Sequence, residues 1–211
     1  MNSVSAFILS FIASYLIGSL PTSFVLTKIL KGVDIREVGS GNAGATNVLR
    51  AAGKIPALIT LIVDVMKGVF VVTALAGFFY SFLSELDYDF YRSVLGLAAV
   101  CGHIWPVFTG FRGGKGVATT LGVGIGIAPA LLIPVICIWL IIFFITNYVS
   151  LASIAALVFF PAIAAIFNYH VYTVIFSVLI CTVVIYKHKE NIKRLVRGEE
   201  NKTVIFKTGK K

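Results

Sequence analysis

The sequence predicts an all-α, polytopic membrane protein of seven short transmembrane helices, its N-terminus outside and its C-terminus cytoplasmic. Three observations lead there. Of 211 residues, 58% are hydrophobic and 13% charged, whereas a water-soluble domain carries roughly a quarter charged residues. Apolar runs near the ~20 residues that cross a bilayer alternate with short polar segments. Those segments also alternate in sign, which the positive-inside rule converts into an orientation. Loop and tail residues carry the net charge of +9. No basic patch interleaves with aromatics, so no nucleic-acid partner is expected.

Residues 4–27 read as the first span. The run lacks a basic n-region and a small-residue cleavage site, and reads as a retained helix. Ser14, Gly18 and Thr22 recur every four residues, with Ser19 and Ser23 beside them. Such a stripe suits close helix packing in lipid; alternatively its last turn, Gly18-Ser19-Leu20-Pro21, lines a site near the membrane surface. The loop 28–54 sets Lys28, Lys31, Arg36, Arg50 and Lys54 against Asp34 and Glu37. The second span, about 55–80, contains Asp64 and Lys67. Ionisable residues inside a membrane are costly and usually paired, and i, i+3 spacing lets these two share a helix face. They read as a structural ion pair or as a device that orders a loop.

Residues 81–92 carry Glu85, Asp87 and Asp89 against Arg92, and the third span, about 91–108, includes His103. The short loop around Phe111-Arg112-Gly113-Gly114-Lys115-Gly116 is basic, and the chain from Lys187 holds nine Lys and Arg against three Glu. Loops 28–54 and 110–116 and the tail are therefore placed inside, and 81–92 outside. Between Lys115 and Lys187 an even number of crossings is required. Two would each need about 35 residues, far more than the ~20 that suffice. Four fit as helices of about 16 residues, broken at Pro129 to Pro134, Asn147 to Ser150, and Asn168 to His170, thinning the bilayer locally. The chain reads as one domain, 1–211, with residues 200–211 a basic cytoplasmic tail. Lys202 to Lys211 would meet anionic inner-leaflet lipid. Cys101, Cys137 and Cys181 all sit in apolar runs and indicate neither a disulfide framework nor a zinc site.

The stretch with the most chemistry is Gly39-Ser40-Gly41-Asn42-Ala43-Gly44-Ala45-Thr46-Asn47, closed by Arg50. Its glycines let the backbone turn sharply and approach a ligand. Ser40, Asn42, Thr46 and Asn47 add short donors and Arg50 a positive fork. The segment can fold its N–H groups around an oxyanion, or serve as an ordinary polar turn. Arg112 and Lys115 supply a second basic glycine turn. His188, Asn191 and Arg194 share one side of a helix continuing the last span, where Glu199 is placed to orient Arg194 or His188. Ser150 and Ser153 fall on the same inner side. A histidine at a helix end can equally cap it. His103 is expected to bond a backbone carbonyl, and His170 to be external. No His/Cys/carboxylate set has metal-ligand spacing, so no metal and no cofactor is expected. No G-x-S-x-G elbow appears, and no histidine is followed five residues later by aspartate. One cationic, donor-rich pocket at the lipid interface suits an anionic amphiphile.

These motifs are similar to those of the bacterial acyl-phosphate:glycerol-3-phosphate acyltransferases, the PlsY family of integral membrane enzymes. The matching segments are Gly18-Ser19-Leu20-Pro21; Asp34-Ile35-Arg36 running into Gly39 to Asn47 and Arg50; Asp64 with Lys67-Gly68; His103 with Pro106; and Gly113-Gly114-Lys115-Gly116-Val117-Ala118-Thr119. Ser150 with Ser153, and His188 through Asn191 and Arg194 to Gly198-Glu199, complete the set. The resemblance runs from about residue 8 to residue 200. It implies seven helices, an active site at the cytoplasmic face of the inner membrane, and acyl transfer from acyl phosphate to the 1-hydroxyl of sn-glycerol 3-phosphate. The products would be lysophosphatidic acid and inorganic phosphate, an early step of phospholipid synthesis, with a functional link to the enzyme that makes acyl phosphate.

On that resemblance Ser40, Asn42, Gly44, Thr46 and Asn47, with Gly39 and Gly41, hold the acyl phosphate, and Arg50 neutralises the departing phosphate. Lys115, Ser150, His188 and Asn191 hold glycerol 3-phosphate, with Gly113, Gly114, Ser153, Arg194 and Glu199 beside them. Ser40, Asn42, Arg50, Lys115, His188 and Asn191 form the catalytic set. The base is either a substrate phosphate oxygen, with a pKa near 6, or His188, with an unperturbed value near 6.5. The rival reading from another class is a membrane transporter for an organic phosphate. It would call for midplane broken helices and repeat symmetry, neither of which is clear in the sequence.

Overall fold

A computed structural model describes residues 1–83 and 85–203. Among them the regular structure is helical, with no strand. Helix α1 (Ser3–Gly18) starts where the Asn2 side chain accepts the Ser5 N–H at 2.8 Å. It breaks at Ser19–Pro21, because proline cannot supply the N–H that would continue the ladder, and resumes as α2 (Thr22–Lys31). After the first long loop come α3 (Ala45–Ala52) and α4 (Lys54–Phe70); a π turn, Val71–Leu75, joins α4 to α5 (Ala76–Tyr80). Helix α6 (Tyr88–Ile104) leads through the second loop into α7 (Val117–Ile127). Three helices follow with minimal turns: α8 (Pro129–Thr146), α9 (Val149–Ile166) and α10 (Val171–Lys187). The short α11 (Lys189–Val196) leaves α10 at 61°.

Four stretches are long and apolar enough to cross a membrane: Ser3–Lys31, Lys54–Tyr80, Pro129–Thr146 and Val149–Ile166. Helix α10 makes a fifth when it is taken together with α11. The breaks after Lys115 fall at Ala128, at Asn147–Tyr148 and at Phe167–His170. The first lies at the edge of its expected window because Pro129 opens α8, where its missing N–H has no partner to lose. The shortness expected of four helices is concentrated in α7, with 11 residues.

Small residues set the tightest seams, as packing in lipid requires. A Cβ on Gly18 would stand 2.1 Å from the Ala99 carbonyl of α6, and one on Gly122 of α7 would stand 1.9 Å from the Val65 carbonyl of α4. The stripe of α1 thus buries Ser10, Ser14 and Gly18. Tyr91, Leu95, Val100, Val123, Phe160 and Ile180 lie in the main core between the helices. Within the apolar layer Lys67 donates to Asp64 Oδ1 at 2.7 Å and to the Leu20 carbonyl. The expected ion pair is therefore made, and it also pins the α1–α2 break. His103 faces this pair, its Nδ1 3.7 Å from Asp64 Oδ1, rather than bonding a carbonyl. His170 pairs with Asp87 at 3.9 Å at one end of the bundle. His188 closes α10 at the other, where the polar loops gather. The three cysteines are unpaired. Residues 204–211, most of the basic tail, lie outside the described residues; Lys202 sits over the Tyr148 ring at 5.6 Å.

Candidate active site at the polar end of the bundle

The first loop is folded around one side chain. Asn47, 1% exposed, accepts the Ser40 N–H on Oδ1 at 2.9 Å and donates from Nδ2 to the Ile35 and Val38 carbonyls at 3.0 and 2.9 Å. Gly39 has φ +60, and a Cβ there would stand 2.2 Å from Asn47 Oδ1. Only glycine lets the chain wrap this closely in the left-handed region. Ile35 and Val48 seal the loop from beneath. Asn47, expected to hold a ligand, is a peg for the loop: both of its side-chain N–H donors are spent within the protein. The N–H groups of Gly41 and Gly44 are also spent, on Val38 and Asn42 carbonyls at 3.1 and 3.0 Å.

What remains uncommitted points one way. Helix α3 begins at Gly44 with no side-chain cap. Among the described residues, the N–H groups of Asn42, Ala43, Ala45 and Thr46 have no partner, nor do the Ser40 and Thr46 hydroxyls or the Asn42 side chain. Free N–H groups at a helix start, with the helix dipole behind them, form an anion site.

The second loop touches the first. A Cβ on Gly114 would lie 2.8 Å from the Ala43 carbonyl and 2.2 Å from His103 Nε2. Gly113 and Gly114 donate their N–H groups to the Ile104 and His103 carbonyls at 3.2 and 3.1 Å. They cap α6, so the two glycines expected among the substrate-binding groups have their N–H donors spent within the protein. Their compactness delivers Lys115 to Asn191, whose Oδ1 accepts from its ammonium. Burial pushes the Lys115 pKa down to about 8; Glu200 opposes this, while Arg194, Arg50 and Lys187 add to it.

The third element is the end of α10 with α11. His188, 2% exposed, has Nδ1 2.7 Å from the Val184 carbonyl. Burial first, then Lys115, push its pKa down to about 4. The ring is neutral at pH 7, so Nδ1 carries the proton to the carbonyl and Nε2 keeps a lone pair. Glu200 is the anion of the cluster. Its Oε1 accepts from Ser150 at 2.9 Å and from Asn191 Nδ2 at 2.7 Å, and its Oε2 accepts from Arg194 Nε at 2.8 Å. Burial alone would raise its pKa, but these bonds outweigh it and hold the carboxyl below its usual value. Arg50, on the open rim, donates to the Thr203 hydroxyl at 3.2 Å and the Asn201 carbonyl at 3.3 Å.

The family model for glycerol-3-phosphate acyltransferase matches residues 8–198. The chain belongs to the glycerol-3-phosphate acyltransferase family. A relative from Prochlorococcus marinus is 42% identical, the match covering 92% of this chain and 96% of the relative. One from Chlorobaculum tepidum is 39% identical, over 93% and 96%. Two crystal structures of PlsY, an integral membrane glycerol 3-phosphate acyltransferase, share the fold. The glycerol 3-phosphate form has TM-score 0.85 at 39% identity, covering 94% of this chain and 96% of that one. The lysophosphatidic acid form has TM-score 0.82 at 38% identity, covering 94% and 95%.

Within this family member, two further expectations are corrected. Ser153 donates to the Val149 carbonyl at 2.8 Å and accepts from Trp139 Nε1 at 3.1 Å. It ties α8 to α9. Glu199 is exposed, and the carboxylate that orients Arg194 belongs to Glu200. The cause is the end of α11. Gly198, at φ +71, and Glu199 return their N–H groups to the Leu195 and Arg194 carbonyls at 3.2 and 2.8 Å. This reversal stops helical periodicity and turns the next side chain inward. The glycine after a run of basic residues was the signal that Glu200 faces the site. Ser40, Asn42, Thr46, Arg50, Lys115, Ser150, His188, Asn191 and Arg194 do gather at one end of the bundle.

Proposed function

We propose that this protein transfers a fatty acyl group from acyl phosphate to the 1-hydroxyl of sn-glycerol 3-phosphate, releasing lysophosphatidic acid and inorganic phosphate for phospholipid synthesis. The observation that carries this reading is the pairing of two anion-seeking sites: the open start of α3, with Arg50 in the last turn of the same helix, and the buried Lys115 ammonium, near enough to Arg50 and Arg194 to feel their charge. Each substrate brings one phosphate.

The free N–H groups of α3, with Ser40, Asn42 and Thr46, hold the acyl phosphate, and Arg50 offsets charge on the departing phosphate. Lys115, with two N–H donors left after Asn191, takes the acceptor's phosphate. His188 Nε2 accepts from its hydroxyl. Ser150 and Arg194 act through Glu200, which fixes Asn191. The hydroxyl oxygen attacks the acyl carbon, the bond from that carbon to phosphate oxygen breaks, and the hydroxyl proton, held toward His188 Nε2 only until the attack, passes to the departing phosphate. A phosphate oxygen suits that proton better than His188, whose depressed pKa makes it a poor base. Acyl phosphate is already activated, so positioning and charge stabilisation carry most of the rate.

The same reading places the site at the cytoplasmic face of the inner membrane, with seven crossings: α1 with α2, α4 with α5, then α6, α7, α8, α9 and α10. Support comes from Ser3, which lies beside Leu83 and Leu86 at the end of the bundle away from His188, as an odd number of crossings requires. The basic loops at the polar end favour the cytoplasm. The test is purified protein in lipid vesicles, given acyl phosphate and glycerol 3-phosphate with no added metal. Phosphate released in step with lysophosphatidic acid supports the reading. Uptake of glycerol 3-phosphate without turnover refutes it and favours a transporter.

A further inference from the structure

Arg36 stands outside the groups assigned to substrate, yet among the described residues it is the most fully engaged cation at the polar end. Its Nε donates to Asp34 Oδ1 and Oδ2 at 2.9 and 3.0 Å, and one Nη donates to Asp34 Oδ2 at 2.6 Å. The other Nη donates to the Thr109 carbonyl at 2.8 Å. The guanidinium also lies over the Phe24 ring at 5.2 Å. Asp34 neutralises its charge, and three of its five N–H groups are spent on protein, so it is poorly suited to grip phosphate. Its two sets of partners matter instead. Asp34 opens the first glycine loop, and Thr109 ends the short turn that feeds the second. One planar cation thus bridges two segments 73 positions apart in sequence. The loops also meet where Gly114 lies under the Ala43 carbonyl, so contact at that point and the Arg36 fork together fix their relative position.

We infer that Arg36 is a positioning residue that holds the two glycine loops in register, so that donor and acceptor meet in attacking geometry. The inference rests on the proposed reading, in which the first loop carries the acyl phosphate and the second carries Lys115. It has a consequence that a general folding role lacks. Each loop keeps its own substrate contacts when the bridge is lost, but their alignment slips. Misplacement of about 1 Å costs on the order of a hundredfold in rate, whereas binding to each separate loop is little changed.

The experiment measures kcat and both KM values for the full chain in lipid vesicles. Arg36→Gln is expected to lower kcat by at least ~10-fold with both KM values within ~3-fold. Arg36→Lys keeps the charge but cannot reach both partners, so it should recover little of kcat. Lys115→Ala, in contrast, should raise the KM for glycerol 3-phosphate. Should Arg36→Gln fail to fold, Asp34→Asn, which leaves the bond to Thr109 but frees the guanidinium to rotate, decides by the same split. Unchanged kcat, or a joint rise of both KM values, overturns the inference. An unchanged acceptor KM in Lys115→Ala overturns the underlying reading instead, and the two failures are read from different variants.

Discussion

Lys115 and Asn191 are joined by a hydrogen bond from the lysine ammonium to Asn191 Oδ1, across 76 positions of sequence. The bond settles which way the amide faces. Oδ1 must accept from the ammonium, so Nδ2 turns to Glu200, 2.7 Å away. Glu200 is itself held by Ser150 and Arg194. The position of a loop lysine is therefore set by a chain of bonds reaching α9 and α11.

The buried ammonium gives the first prediction. With a pKa near 8, Lys115 loses its charge in the free protein as pH rises through that value. The KM for glycerol 3-phosphate should rise above about pH 8, and Lys115→Ala should show a higher KM without that limb. Stability moves the other way. The unfolded chain keeps this proton to about 10.4, so between about 8 and 10.4 it binds more protons than the folded one, and stability rises with pH. Thermal unfolding in detergent across that window checks the sign.

Arg50 is predicted to act on the donor side. Arg50→Ala removes charge-assisted bonds to phosphate, each about 1.5–3 kcal/mol, and activity should fall by at least ~10-fold. Its bonds to Asn201 and Thr203 lie on the open rim, so thermal unfolding should change little. Near-normal turnover would remove Arg50 from the mechanism.

Ser150 reaches the acceptor only through Glu200. Ser150→Ala should raise the KM for glycerol 3-phosphate about 3- to 10-fold while leaving kcat nearly intact. A loss of kcat at unchanged acceptor affinity would mean that the hydroxyl meets the reacting atoms.

Glu200 and Glu199 should separate cleanly. Glu200→Ala strands Arg194, Asn191 and Ser150 around a lost carboxylate, and Tm should fall by at least ~5 °C. Glu199→Ala, at an exposed position, should stay within about 0.5 kcal/mol of the parent. Because bonds hold the Glu200 carboxyl below its usual value, its contribution is present above the unfolded value near 4.3. It is lost as pH falls through the depressed value. Equal effects of the two alanine changes would contradict the assignment.

The Glu199–Glu200 exchange shows where sequence reasoning stopped. Residue type and spacing identified the glycine loop, Lys115, His188 and Asn191, because polar groups between apolar runs have few places to go. Sequence does not show on what a donor is spent. Asn47 and Ser153 look like Asn42 and Ser40 as letters, but the first two are consumed by the loop backbone and by Val149 and Trp139, whereas the Asn42 side chain and the Ser40 hydroxyl stay free among the described residues. Gly113 and Gly114 were legible as a tight turn, not as caps for α6. Periodicity placed 188, 191 and 194 together correctly and failed at 199, one residue beyond the glycine that ends the helix. The Asp64–Lys67 pair was readable from i, i+3 spacing, whereas its bond to Leu20 depended on how α1 breaks.

The last prediction concerns the proton. His188 donates from Nδ1 to Val184, and its pKa of about 4 leaves Nε2 unprotonated throughout the physiological range. As an orienting acceptor it should impose no titration near pH 6.5. A substrate phosphate acting as base should impose one near pH 6, with kcat falling on the acid side as the dianion is lost. His188→Asn should lower kcat by on the order of 10- to 100-fold, since orientation of the attacking hydroxyl is weakened. The acid limb near pH 6 should survive in that variant, because it belongs to the substrate. If the limb disappears with the imidazole, His188 is the base and the phosphate-assisted step is wrong.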